Sequence, residues 1–168
     1  MAEKKILVVV PPQEFNDNQY EICRRSLESK GHKVSVASIV KVARGESGSA
    51  IPVDLTIKDV KTYDYDAVIF PGGEGNRILY DEESARQLAK DCKYKVIAAS
   101  DRAVILLSLS GAIEDKKVTG PPESISWIIK GKAKYTGEPI TVDDKLITLK
   151  DPELSEQMAS AVLKALEK

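Results

Sequence analysis

Tyr65-Asp66-Ala67-Val68-Ile69-Phe70-Pro71-Gly72-Gly73 is the stretch on which the fold turns. Its run AVIF has no polar alternation, so the strand it predicts is buried on both faces, as in a parallel sheet covered by helices. Pro71-Gly72-Gly73 ends that strand, because proline lacks the N–H a ladder needs and glycine permits a tight turn. Ile6 to Val10 is a similar β-branched run, stopped by Pro11-Pro12, and Lys95 to Ala99 (KVIAA) is another. Val34 to Ala37 adds a further strand.

Helical patterns lie between these runs. In Asp17 to Lys30, Tyr20, Cys23 and Leu27 share one face, and Gly31 is the stop signal. Asp81 to Cys92 has an acidic first turn, and a helix follows KVIAA directly, through Leu109 to Gly111. Residues 39–55 read as a small antiparallel hairpin. Later come a short helix over Ser124 to Ile129, a strand–turn–strand over residues 140–148, and a helix opened by Asp151-Pro152-Glu153. Buried strands alternating with amphipathic helices imply right-handed crossovers. The expectation is a doubly wound, mostly parallel α/β sheet with helices on both faces. With no repeat or linker, residues 1–168 form a single domain.

The 168 residues carry 25 basic and 26 acidic side chains, a net charge of -1. That balance points to neither a nucleic-acid partner nor an anionic membrane surface. No apolar run is long enough to span a bilayer. The start MAEKKILVVVPP reads as a first buried strand rather than a signal peptide, which places the protein in the cytoplasm. Cys23 and Cys92 stand in no metal or redox spacing, so buried, reduced thiols are expected, with no metal and no organic cofactor. The single histidine, His32, falls between a helix and a strand, which leaves no imidazole for a serine or cysteine nucleophile.

In a doubly wound sheet, ligands bind beyond the carboxyl ends of the strands. Three loops belong there: residues 11–19, Pro71 to Asn76, and Ser100-Asp101-Arg102. The same pieces, in the same order, resemble the ThiJ/PfpI family, related to class I glutamine amidotransferase domains, intracellular proteases and a human parkinsonism-linked protein. The resemblance rests on Glu14 to Tyr20, Gly31-His32-Lys33-Val34, Val53-Asp54-Leu55, Tyr65 to Gly73, and the spacing from Ile97 through Gly111 to Lys116-Lys117. It implies a flavodoxin-like fold, a nucleophile elbow after KVIAA and assembly into a homo-oligomer, a dimer or larger.

The resemblance also marks departures. Asp101 stands where the family carries its elbow cysteine, Arg102 where it carries histidine, and Gln19 where it carries a glutamate. Aspartate forms no sulfenic or sulfinic acid, so cysteine proteolysis, deglycation and redox sensing at this position are expected to be lost. The reading that follows is a homologue without the Cys-His-Glu site. It binds a small polar ligand or peptide at the strand ends, or serves a stress or chaperone-like role. The alternatives are a hydrolase or lyase with Asp101 as carboxylate nucleophile, and an oligomeric interaction module displaying the 39–55 hairpin.

The residues themselves leave choices open. Local sequence favours Asp101 as a helix N-cap, worth ~1 kcal/mol, which requires an ordinary backbone; an elbow requires a strained one. Arg102 is an anion anchor at the site, an ion-pair partner of Asp101 or Glu74, or a solvated first-turn arginine. Gln19 is either an amide that holds Asp101 or an exposed polar residue. Gly72 and Gly73 serve a tight turn with exposed backbone, Glu74 is the nearby acid, and Ser100 is a hydroxyl at the core edge.

Overall fold

The computed structural model describes residues 2–168. Its central sheet has seven strands, in the spatial order Ile140–Asp143, Leu146–Leu149, Val96–Ser100, Ala67–Phe70, Lys5–Val9, Lys33–Ser38 and Leu55–Thr56. Five are the buried runs anticipated above and their neighbour: β1 (Lys5–Val9), β3 (Lys33–Ser38), β7 (Ala67–Phe70), β8 (Val96–Ser100) and β12 (Leu146–Leu149). β6 (Leu55–Thr56) and β11 (Ile140–Asp143) form the edges. Every pairing is parallel except β11 with β12.

The pleat sends alternate residues of each strand into two cores. Leu7, Val9, Val68, Phe70, Ile97 and Ala99 pack on one side. There they meet α2 (Asn76–Tyr80), α3 (Glu83–Asp91), α4 (Ala103–Ser110) and α5 (Ile125–Lys130). Ile6, Val8, Ala67, Ile69, Val96 and Ala98 pack on the other, against α1 (Asp17–Ser29) and α6 (Ser155–Leu166). Helices therefore cover both faces, the doubly wound arrangement.

The predicted hairpin is present as β4 (Val42–Gly45) paired antiparallel with β5 (Ala50–Pro52). It has a third strand, β2 (Gln13–Phe15), lying parallel to β4 inside the stretch expected to be loop. The helix expected over 81–92 is α3, preceded by the separate turn of α2. A short parallel pair, β9 (Lys117–Val118) with β10 (Lys134–Tyr135), accounts for part of the irregular last third. The last helix begins at Ser155, because Asp151–Leu154 forms a turn in which Asp151 Oδ1 accepts the Glu153 N–H at 2.9 Å. Among the described residues, no helix is long and apolar enough to cross a membrane.

Candidate functional site

The carboxyl ends of β1, β7 and β8 lie side by side in the sheet, so the loops that leave them must meet. They are tied together by backbone hydrogen bonds. The Asn16 N–H donates to Gly72 O at 2.8 Å, and the Gly75 N–H donates to Glu14 O at 3.1 Å. Gly73 sits at φ 126, and an added Cβ there would lie 2.8 Å from Asn16 N and overlap the Glu14 carbonyl. Only glycine lets the two loops close on each other.

Gln19 joins the same loops from α1. It is fully buried, its Nε2 donates to Ser100 Oγ at 3.0 Å, and its Oε1 accepts the Gly72 N–H at 2.7 Å. Both sequence expectations for Gln19 need correcting. It is not exposed, and it does not hold Asp101 directly; its amide fixes the residue before Asp101 and the loop opposite. A glutamine suits this position because one partner needs a donor and the other an acceptor. Ser100, fully buried, completes the bridge.

Asp101 has φ 55, in the left-handed region. The N-cap expectation is therefore corrected. The helix N-cap is Arg102, with ordinary right-handed backbone and no side-chain cap. Asp101 uses its backbone carbonyl to accept the Val104 N–H at 3.1 Å, and its side chain turns toward the β7 loop. Oδ2 accepts the Gly73 N–H at 3.2 Å and lies 3.6 Å from Arg102 Nη1. Among the described residues, no donor makes a hydrogen bond to Oδ1, although only 9% of the side chain is exposed. A left-handed aspartate is strained by order 1 kcal/mol or more and persists only when its surroundings fix it. Here Gln19 and the Gly73 loop do so.

Of the three readings of Arg102, its geometry is that of the ion pair. Its guanidinium faces Glu123 at 3.0 Å, with Glu74 and Asp101 each at 3.6 Å. Glu74 is largely exposed, and its N–H donates to Glu46 Oε1 at 3.0 Å. Tyr80 braces the elbow from α2, donating its hydroxyl to Arg102 O at 2.7 Å. Burial raises the Tyr80 phenol well above its usual value, so it remains a donor.

Asp101 opens into a cavity of about 810 Å³. Glu14, Glu46, Glu74 and Arg102 line one wall; Pro121, Pro122 and Glu123 line another; Pro139 and residues 150–154 close the third. Sequence reasoning missed the 121–123 and 150–154 walls. The second had a signal: β12 runs parallel to β8, so the segment after it leaves at the same edge.

The other reactive side chains lie elsewhere. His32 is at the opposite edge, where its Nδ1 accepts the Lys4 N–H at 3.0 Å. Cys23 and Cys92 are buried in opposite cores, and burial pushes each thiol up to about 12. Neither supplies a thiolate near neutral pH. Among the described residues, no group of three or more His, Cys, Asp or Glu side chains is arranged to hold a metal ion.

The architecture has solved counterparts. A ThiJ/PfpI domain protein from Brachyspira murdochii superposes with a TM-score of 0.92 at 29% identity, covering 99% of this chain and 98% of that one. An uncharacterized protein of Methanocaldococcus jannaschii is 34% identical over 100% of this chain and 85% of its own length. A protein of Pyrococcus furiosus named as a deglycase is 24% identical over 87% of this chain and 90% of its own. A strained residue between β8 and α4, a glycine loop closed over it, and a family model matching residues 4–165 lead to one assignment: the chain belongs to the DJ-1/PfpI family.

Proposed function

We propose that this protein binds a small polar ligand or a peptide end in the cavity at the carboxyl edge of its sheet, without the cysteine chemistry of thiol-bearing relatives. One observation carries the reading. A nine-tenths buried carboxylate is held on strained backbone in the lining of an 810 Å³ cavity, with only its Oδ2 bonded to the protein. Strain of this kind is retained where the side chain's position has a use. The carbon–oxygen chemistry of aspartate supports no sulfenic or sulfinic step.

Hydrolysis is the weaker reading. An Asp101 carboxylate attacking a carbonyl would form an acyl-aspartate, and water must then be activated to release it. Gln19 is an amide, His32 lies at the other edge, and Glu74 is directed to Arg102. The left-handed elbow still favours testing it. Reaction with isotope-labelled acyl substrates, quenched in acid and followed by mass spectrometry of the Asp101 peptide, would reveal an acyl-aspartate by the labelled acyl group it retains. An unlabelled peptide across a panel of esters and amides is expected.

The binding reading is tested by screening polar metabolites by thermal shift and mapping hits by amide NMR. Perturbations at Gly72, Gly73, Asp101 and Leu154 are expected. Hits that map instead to the shallow groove beside Tyr20, Arg24 and Glu28 would overturn it. A homo-oligomer, a cytoplasmic location and a stress or chaperone-like role belong to the same proposal through family membership. Exposed Leu109, Trp127 and Ile129 offer apolar surface for assembly, and sedimentation velocity reads the first of these directly.

A further inference from the structure

Every ion pair among the described residues uses an arginine: Arg24, Arg25, Arg77 or Arg102. No lysine takes part in one, and on one face the lysines gather. The stretch Trp127-Ile128-Ile129-Lys130-Gly131-Lys132-Ala133-Lys134 leaves α5 and enters β10. Its Lys132 carbonyl accepts the Asp115 N–H at 2.9 Å, and its Lys134 N–H donates to Lys116 O at 2.8 Å. These bonds lay it beside Lys116-Lys117, with Lys117 and Lys134 as direct neighbours in the β9–β10 pair. Lys117, Lys130, Lys132 and Lys134 are all exposed. With Lys116, five lysines stand here against three acids, Glu114, Asp115 and Asp143. The whole-chain net charge of -1 averages over this local excess.

Charge alone is no site, and the second feature is apolar. Ile129 is 63% exposed and Trp127 38%, although Ile128 between them is fully buried. Helical spacing makes these facts one: α5 cannot turn Trp127 and Ile129 inward without pulling Ile128 out of the core. Leu109, 37% exposed, lies near the end of α4, which packs on α5. Lys130 Nζ is 4.9 Å from the centre of the Trp127 ring, so a cation caps the aromatic face. Exposed tryptophan and isoleucine among lysines is a composition that suits an anionic bilayer. The apolar groups enter the headgroup boundary, and the lysine stems reach back to the lipid phosphates. Nucleic acid is a weaker match, because Ile129 and Leu109 offer no stacking plane. A twofold contact between copies centred here would set lysines against lysines.

We infer that this face, Trp127 to Lys134 with Lys116 and Lys117, docks the protein on an anionic lipid surface, Trp127 and Ile129 entering the headgroup region. The docking is weak and reversible, because two apolar side chains bury less than one acyl chain would. It requires no spanning helix and is independent of what the cavity binds.

Trp127 is the only tryptophan in the chain, so its fluorescence reads this face directly. The intact protein is titrated with vesicles of equal parts phosphatidylglycerol and phosphatidylcholine, and with vesicles of phosphatidylcholine alone. A saturable blue shift is expected with the first and little with the second, and added salt should reverse it. Lipid brominated along its acyl chains should quench Trp127. Ile129→Ser should weaken the partition by about fivefold or more. The triple variant Lys130→Glu, Lys132→Glu, Lys134→Glu should abolish it. All four side chains are exposed, so urea midpoints near that of wild type are expected and separate lost binding from lost fold. No blue shift with the anionic vesicles, an equal shift with the neutral ones, or full binding by the triple variant would overturn the inference. So would poly-glutamate or a thymine oligonucleotide that shifts Trp127 more strongly than the vesicles, which gives the face to an acidic protein or to nucleic acid. Dissociation of an oligomer by Ile129→Ser in sedimentation velocity also overturns it, and makes the face a contact between copies.

Discussion

At the amino edge of the sheet the chain turns from α1 into β3 through Gly31, at φ 86; at the carboxyl edge it turns from β8 toward α4 through Asp101, at φ 55. Both turns need left-handed backbone. At Gly31 the space where a Cβ would lie is empty, and glycine takes the conformation without strain. At Asp101 a side chain occupies that conformation and points its carboxylate at a backbone N–H and a cavity. The difference separates a turn that only redirects the chain from one that presents a group. The buried polar residues follow the same division. His32 makes one hydrogen bond, to the neighbouring Lys4 backbone, and its Nε2 has no partner. Gln19 uses both ends of its amide to join loops far apart in sequence.

The largest effect is expected at Gly73, where the two loops of the carboxyl edge close on each other. Gly73→Ala would drive a methyl into the Glu14 carbonyl and require positive φ of an alanine. A loss of about 3 kcal/mol or more is expected, from overpacking and backbone strain together. Urea denaturation reads it. A loss below ~1 kcal/mol would mean that the two loops are not locked and that Asp101 is not held by them.

The thiols give a second contrast, because they are buried without being presented. Burial pushes the Cys23 and Cys92 thiols up to about 12, from an ordinary value of 9.0. Each therefore keeps its proton longer in the folded chain than in the unfolded one. The stabilisation is complete below pH 9 and is lost as pH rises toward 12. At pH 10 each thiol should account for roughly 1.4 kcal/mol of lost stability. Cys23→Ala should flatten the alkaline limb of the stability curve relative to wild type, whatever its effect at pH 7. An unchanged slope between pH 9 and 11, or rapid alkylation of either native thiol at pH 8, would show that a thiol is open to solvent after all.

How far the sequence could be read follows from which interactions are local. The uninterrupted apolar runs at 6–10, 67–70 and 95–99 specify buried parallel strands by themselves, and the sheet contains them in that role. Their order placed Asp101 and the Pro71–Asn76 loop at one edge. Gln19 was legible as a departure but not as a bridge. It lies in the first turn of α1, ordinarily a solvated position, and is buried only because the Gly72 loop folds over it. β2 was hidden for the same reason, as its partner β4 is remote in sequence. α2 has only five residues and no side-chain cap, so nothing local announces it. The cap reading of Asp101 failed because a local sequence shows that an aspartate precedes a helix, not that the helix begins one residue later.

The finest test of the comparison is smaller in energy and reads the strain itself. Asp101→Ala and Asp101→Gly both remove the carboxylate and its contact with the Gly73 N–H, so that loss cancels between them. They differ in the backbone. Alanine keeps the unfavourable left-handed geometry, whereas glycine adopts it freely, so Asp101→Gly should be the more stable by about 1 kcal/mol. At Gly31 the same chemistry runs in reverse: Gly31→Ala should cost about 1 kcal/mol while leaving ligand binding at the elbow unchanged. If Asp101→Ala equals or exceeds Asp101→Gly in stability, residue 101 has an ordinary backbone in solution. The carboxyl edge would then hold a common helix start, and its difference from the amino edge would vanish.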